Sequence, residues 1–388
     1  MVQVRGNDPY VGVEFAQQGS AWITAATTGF IGAPLVSESL VLERDSLAVP
    51  KELGQTGYRE FFEYGPSFVR GSMTVLGRYD ARFWNMLLAH AFYSETLVQD
   101  SWVDGTVLSG STAPGNAHIY SFSSTLPYGL TIRAHKGGQS AGKYDEFVGC
   151  MVGSFTLDQP ENDVLRMTFN FLGYTMTTNT QTGVPAAVGG VVPIRVRDYG
   201  PPSSGTQYSY VKVGNASPGP ATLNIKGFRI NVDRKLEFDT AFLNNLDSRS
   251  QPGIVDVRDI TIELNGTLEN DYGAAGRPAT EYLSKTSSTC DIILCADIAT
   301  TSNRLYTAGN ASYRPYAMRL EFPKTYWTRV PTNIQSGGAN DLTYSVVAVK
   351  GDFDASGSLP DAQQGDFRAI VAVKQTDEPS VDSKFSSL

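Results

Sequence analysis

The sequence predicts a mainly β fold, organised as two tandem β-sandwich or barrel modules that each carry one α-helix packed on the sheet. The first observation behind this is a pattern of period two: Leu165, Met167, Phe169 and Phe171 alternate with Arg166, Thr168 and Asn170, giving a strand one apolar and one wet face. Met151 to Leu157 supplies a matching arm, and Asp158 to Asp163 between them has the composition of a turn, so the stretch reads as an antiparallel hairpin. The second is a looser copy near the C-terminus, Pro315 to Phe322 with Leu342 to Gly351, in which Leu342, Tyr344, Val346 and Ala348 keep the same step. The third is bulk: 388 residues with 41% hydrophobic side chains and 38 glycines make a globular, turn-rich chain long enough for two cores.

In chain order, residues 1–33 lack sustained periodicity and read as an N-terminal arm. The first module spans 34–176. It opens with a strand from Pro34 to Leu47, followed by a polar excursion from Ala48 to Ser67 and a return strand, Phe68 to Leu76. The excursion, which carries Lys51, Glu52, Gln55, Arg59 and Glu63, is too long for a plain hairpin turn and reads as a partner contact. Tyr79 to Tyr93 has Phe83, Leu87, Leu88 and Ala91 at helical spacing with Asp80 near its start, an amphipathic helix that should lie across a sheet. Strands are expected at Thr96 to Leu108, Ala117 to Phe122 and Gly129 to Ala134, ahead of the hairpin. Residues 177–207, dense in Thr, Gly and Pro, form a linker with a short strand at Val192 to Val196.

The second module, 208–352, repeats the order. Ala221 to Leu236 is a strand, Phe242 to Asp256 a polar loop, Val257 to Leu268 the return strand and Arg277 to Thr286 a helix with Pro278 in its first turn. Cys290 to Ile298 and the second hairpin, joined by an aromatic and Gly-rich loop from Pro323 to Asp341, complete the copy. Residues 353–388 add a strand at Phe367 to Lys374 and a polar tail.

Chemistry is sparse along the chain. The charged fraction is 18%, and a formal net charge of -8 argues against gripping nucleic acid by counterion release. Cys150, Cys290 and Cys295 are an odd number without paired metal-site spacing, and read as buried small apolar residues. His90, His118 and His135 have no nucleophile motif beside them, and no phosphate loop, zinc-helix or dinucleotide signature occurs. Acidic pairs such as Glu38 with Glu43 read as solvated faces and turns. The expectation is therefore a non-enzyme with no catalytic residue, no metal and no cofactor. The N-terminal residues lack a secretory pattern and no stretch has the length of a membrane span, so synthesis in the cytosol is expected.

Three stretches carry a resemblance: SESLVLERDSL from Ser37, VRGSMTVLGRYDARFWNMLLAHAF from Val69, and VGCMVGSFTLDQPENDVLRMTFNFLGY from Val148. With the order of elements, they make the chain, from about Leu35 to Gly351, resemble the tail tube or major tail proteins of long-tailed bacteriophages, in the version that duplicates the tube fold. The resemblance implies that four strands per module, 36–47 with 68–77 and 148–157 with 164–172 in the first, join neighbouring copies in a closed ring barrel. It implies a homotrimer with pseudo-hexameric symmetry, stacked into a tube for genome ejection. Ser154, Thr156, Asp158, Arg166, Thr168, Asn170, Thr343 and Ser345 would then face the lumen, letting DNA pass without specific binding. The loops 48–67 and 237–256 would reach the next ring. Implied partners are further copies of the chain, a tape measure protein and tail tip or terminator proteins, with no membrane. Its place would be the virion tail, assembled in the host cytoplasm.

Two other classes fit parts of the reading. A non-enzymatic β-sandwich binding or adhesion protein of a virion would also be strand-rich and acidic, but should show a clustered aromatic platform. An enzyme on a β scaffold is opposed by the lack of any catalytic motif in the sequence.

Overall fold

Side chains that alternate between apolar and polar leave most of the described residues no better state than extended strand, and a computed structural model shows how these strands are paired. The structure describes residues 10–15, 31–48, 62–77, 83–108, 115–123, 129–135, 144–161, 163–179, 194, 209–214, 221–222, 225–238, 252–267, 278–296, 304–306, 313–330, 341–353 and 364–374. The elements begin β1 (Tyr10–Phe15), β2 (Ile31–Glu38), β3 (Val41–Ala48), β4 (Phe62–Leu76), α1 (Phe83–Phe92), β5 (Thr96–Val98), β6 (Gly115–Ser121), β7 (Leu130–His135), β8 (Tyr144–Gln159), β9 (Arg166–Gly173) and β10 (Thr175–Asn179). They continue with β11 (Tyr210–Gly214), β12 (Ala221–Thr222), β13 (Ile225–Asp233), β14 (Leu236–Glu237), β15 (Gly253–Ile254), β16 (Asp259–Thr267), α2 (Pro278–Ser284) and β17 (Ser288–Cys295). The last are β18 (Arg304–Tyr306), β19 (Tyr313–Pro315), β20 (Ala317–Arg329), β21 (Asp341–Ala348), β22 (Gly351–Asp352), β23 (Gln364–Gly365) and β24 (Arg368–Lys374).

One wide antiparallel layer dominates. Leu35, Val75, Met167, Leu157, Ile230, Ile262, Val346 and Trp327 stand side by side across β2, β4, β9, β8, β13, β16, β21 and β20. From Val75 to Trp327 every member of that row is buried, and each such side chain contributes on the order of 1.5–3 kcal/mol of apolar burial. The row does not return to its starting strand, so this layer is open and not a closed barrel within the chain. Two strands are long enough to serve two neighbourhoods. Tyr144 to Val148 of β8 runs between β7 and β10, while Ser154 to Gln159 runs between β9 and β13. β20 likewise pairs with β17 and β24 through Ala317–Glu321 and with β21 from Thr325 onward.

β24 lies between β20 and β6, so it joins elements from the two halves of the chain. Arg368 at its start donates from Nε and Nη2 to Glu321 Oε2 at 3.0 and 2.5 Å, a buried ion pair that fixes β24 against β20. Helix α1 packs on β8 and β6, over the apolar side of the wide layer.

Several expectations change. The strand expected from Pro34 to Leu47 is interrupted at Ser39 and Leu40. There the Ser39 N–H donates to the Ser72 carbonyl at 2.9 Å, opposite Gly71. Gly71 has φ +148°, and a Cβ there would lie 2.4 Å from the Ser39 oxygen, so only glycine lets the strands approach. The polar excursion is shorter than expected, because β3 runs to Ala48 and β4 starts at Phe62. Helix α1 is not amphipathic: Met86 through Phe92, His90 included, are all buried. Asp80 lies outside the described residues.

Of the expected strand Thr96 to Leu108, only β5 forms; turns follow, closed by a bridge between Ser101 and Val107. The turn expected at Asp158 is strand as far as Gln159, and the loop expected from Pro323 is strand as far as Arg329. The stretch read as an N-terminal arm contains β1, paired to both β2 and β7. Of the short linker strand only Ile194 is described: buried, it donates to the Gly77 carbonyl and accepts from the Leu165 N–H, both at 2.9 Å.

Candidate functional site: a polar sheet face across seven strands

The wide layer has a second face, set by the same alternation that buries the first. Its middle row is Thr74, Thr168, Thr156, Asn231 and Thr261, one residue from each of β4, β9, β8, β13 and β16. Their side chains are linked along the row: Thr74 Oγ1 lies 2.9 Å from Thr168 Oγ1, Thr156 Oγ1 donates to Asn231 Oδ1 at 3.0 Å, and Asn231 Nδ2 donates to Thr261 Oγ1 at 3.4 Å. Such hydroxyl and amide ladders satisfy one another and leave few groups to seek a ligand.

A second row holds the charges. Arg166, Asp158, Arg229, Glu263, Ser345 and Arg329 follow one another across β9, β8, β13, β16, β21 and β20. Arg229 Nε stands 3.4 Å from Asp158 Oδ1, and Arg166 Nη2 donates to Asp163 Oδ2 at 2.6 Å. Base and acid alternate, so no field of one sign builds up along this row.

The third row is Ser72, Asn170, Ser154, Asp233 and Asp259. Asn170 Nδ2 donates to Ser154 Oγ at 2.8 Å. The facing carboxylates of Asp233 and Asp259 are bridged by Lys235 Nζ at 2.8 and 2.9 Å. Although partial burial pushes the Asp233 carboxyl up, the hydrogen bonds and charge of Lys235 hold it below the usual carboxylate range.

All eight residues expected on a wet face therefore share one continuous surface. Ser154, Thr156 and Asp158 face Asn170, Thr168 and Arg166, while Thr343 and Ser345 join through β16, where Thr343 Oγ1 donates to Asn265 Oδ1 at 2.8 Å. Sequence reasoning missed Ser72, Thr74, Arg229, Asn231, Thr261 and Glu263. They occupy alternate positions in strands it did identify, but which strand follows β8 is a matter of long-range register. Arg229 and Arg329 stand on the same face as Arg166. Of the excursion residues, Lys51, Glu52, Gln55 and Arg59 lie outside the described residues, and Glu63 sits in β4 opposite Leu47.

The face offers little chemistry. Among the described residues no three His, Cys, Asp or Glu side chains are grouped to hold a metal, and no helix is long and apolar enough to cross a membrane. His118 is buried, with Nδ1 2.6 Å from Glu95 Oε1, and lies in β6, away from this face. What remains is a broad polar wall, many of whose side chains are bonded to one another. A family model described as phage tail tube protein matches residues 11–355, nearly the whole chain. No curated protein matches it.

Proposed function

The chain belongs to the phage tail tube protein family, and from that premise we propose that it polymerises into the tube of a long-tailed phage, as stacked homotrimeric rings through which DNA is ejected. The observation that carries this reading is strand order. β2 with β3, β4, β9 and β8 are followed in space by β13, β16, β21 and β20, the same sequence of roles twice, and the two runs meet at the β8–β13 pair. Each run is one tandem module, and the ring is pseudo-hexameric. The seam inside the chain is then the template for the seam between chains: β20 of one copy would pair with β2 and β3 of the next, covering edges that would otherwise invite aggregation.

In that ring the polar face lines the lumen, with Ser154, Thr156, Asp158, Arg166, Thr168, Asn170, Thr343 and Ser345 among its wall residues. Alternating charge and mutually bonded hydroxyls give passing phosphates neither a run of cations to hold them nor a run of anions to stop them. The part of the 48–67 excursion left between β3 and β4 would reach the adjacent ring. A tape measure protein inside the lumen and tip or terminator proteins at the ends are the remaining partners, and assembly takes place in the host cytoplasm.

Negative-stain electron microscopy over a concentration series, with light-scattering mass on the same samples, tests the reading. Rings or tubes with three chains per layer are expected. Monodisperse monomers at every concentration, even after seeding with tail tips, would sink it and favour a virion binding module.

A further inference from the structure

The two helices hold matching places, but only one of them is covered at its end. α1 packs on β8 and α2 on β20, each the last strand of its run. Each helix stops on a residue in the left-handed region, Tyr93 at φ 66° and Lys285 at φ 56°. Aligned on that residue, His90, Ala91 and Phe92 of α1 answer to Tyr282, Leu283 and Ser284 of α2. The first three are fully buried. Tyr282 and Leu283 are 44% and 79% exposed, with Ser284 and Lys285 exposed beside them.

What covers the end of α1 comes from across the β8–β13 pairing. Arg234, just after β13, donates to the Ala91 carbonyl and stands over the Tyr93 ring. Phe367, just before β24, lies against Phe92 with ring centroids 5.0 Å apart. Two adjacent large apolar side chains left bare where the other helix is covered mark a contact surface.

The counterparts of Arg234 and Phe367 lie at the opposite edge of the wide layer. Arg234 stands in the break between β13 and β14, and the matching break between β2 and β3 is Ser39 and Leu40. Phe367 precedes β24, which pairs with Ala317–Glu321 of β20; Tyr174 precedes β10, which pairs with Tyr144–Val148 of β8. Val36, in the bulge just ahead of the β2–β3 break, is itself 47% exposed, so this edge also presents an apolar side chain.

We infer that Tyr282 and Leu283 dock on a second copy of the chain, beside its β2–β3 break and Tyr174. The contact lies on the apolar side of the layer, away from the polar wall, and repeats between chains the cover that α1 has within one. Main-chain pairing gives affinity without reading side chains, and a helix contact of this kind restricts which edge β20 accepts. The inference rests on the tail tube reading and adds to it a side-chain surface that neighbours in the same ring bury.

The test uses the full chain. Leu283→Asp changes a side chain that the single chain leaves bare, so the thermal midpoint of the unassembled protein should match the parent's. The concentration at which rings and tubes appear in negative stain should rise about tenfold or more. Ser39→Cys with Leu283→Cys, treated with a short bismaleimide after assembly, should give bands of two and three chains and none larger, because the contact closes within one ring. Each single variant should stay at one chain, since the native Cys150, Cys290 and Cys295 are buried. The cross-link decides the question even if the aspartate lowers the midpoint. Assembly of Leu283→Asp at the parental concentration, or tubes of the cysteine pair that give only single chains or a ladder beyond three, would overturn the helix contact and leave the tube reading standing. A parent protein that forms neither rings nor tubes overturns both.

Discussion

The guanidinium of Arg234 lies 3.2 Å above the centroid of the Tyr93 ring, tying the segment after β13 to the end of α1. Its Nη1 also donates to the Ala91 carbonyl, one of the acceptors left open at a helix C-terminus, and its own N–H donates to the Gly153 carbonyl at 3.0 Å. The side chain is buried, and burial, partly offset by Tyr93, lowers its pKa to about 10. Arg234→Ala should cost about 2–4 kcal/mol, from a lost charged hydrogen bond, a lost cation–π contact and a cavity. Arg234→Met, which fills the space without burying a charge, should cost clearly less. Urea unfolding of the two variants checks the order; equal losses would mean that the polar contacts alone matter and the filled volume does not.

Gly71 faces the break at Ser39. Gly71→Ala should destabilise by at least about 2 kcal/mol, because the position combines a backbone conformation that alanine avoids with a sub-contact approach to the Ser39 carbonyl. Thermal unfolding should show a lowered midpoint. An unchanged midpoint would mean that β2 and β4 can part at this point without loss.

The three thiols give a labelling prediction. Cys150, Cys290 and Cys295 are buried, and burial pushes each thiol above its ordinary range. A thiol-reactive probe near pH 8 should label none of them in the folded protein and all three after denaturation, read by intact mass. Rapid labelling of Cys290 or Cys295 without denaturant would show β17 opening locally.

Lys235 gives a prediction in pH. A carboxyl whose folded pKa is lowered, as at Asp233, contributes stability that is complete above its unfolded value near ~3.9 and is lost as pH falls through the folded value. Lys235→Met leaves Asp233 facing Asp259 with no cation between them. The stability difference between parent and variant should be largest at neutral pH and shrink as the pH drops below about 4. A difference that is the same at pH 3 and pH 7 would remove the ion pairs as its cause.

How much could be read beforehand is seen best in the hairpins. Leu165, Met167, Phe169 and Phe171 are all buried, as the period of two required, because a strand face that packs on a core needs nothing but that period. Pro323 to Arg329 was hidden by its proline and its aromatics, which look like a loop. Yet Thr325 and Trp327 are buried while Tyr326 and Thr328 are exposed, the same period in disguise. Helix α1 was found but its surroundings were not, although Phe83–Phe92 holds no Asp, Glu, Lys or Arg, which was a sign of burial on all sides. The β8–β13 pairing had no local trace. Register between strands about 70 residues apart is fixed by the assembled sheet, so the full extent of the polar face could not be read from either strand alone.

The position of β24 bears on synthesis. β6 waits for a partner that is translated some 250 residues later, which at ~5–20 residues per second is roughly 12–50 s on the ribosome. Throughout that interval one edge of β6 is without the strand that will finally cover it. The nascent chain therefore offers a sheet edge to chaperones and to other nascent copies, and emergence of β24 is what withdraws the offer. Truncation near the C-terminus is in this sense a fault in timing, leaving every earlier strand made and the chain still open.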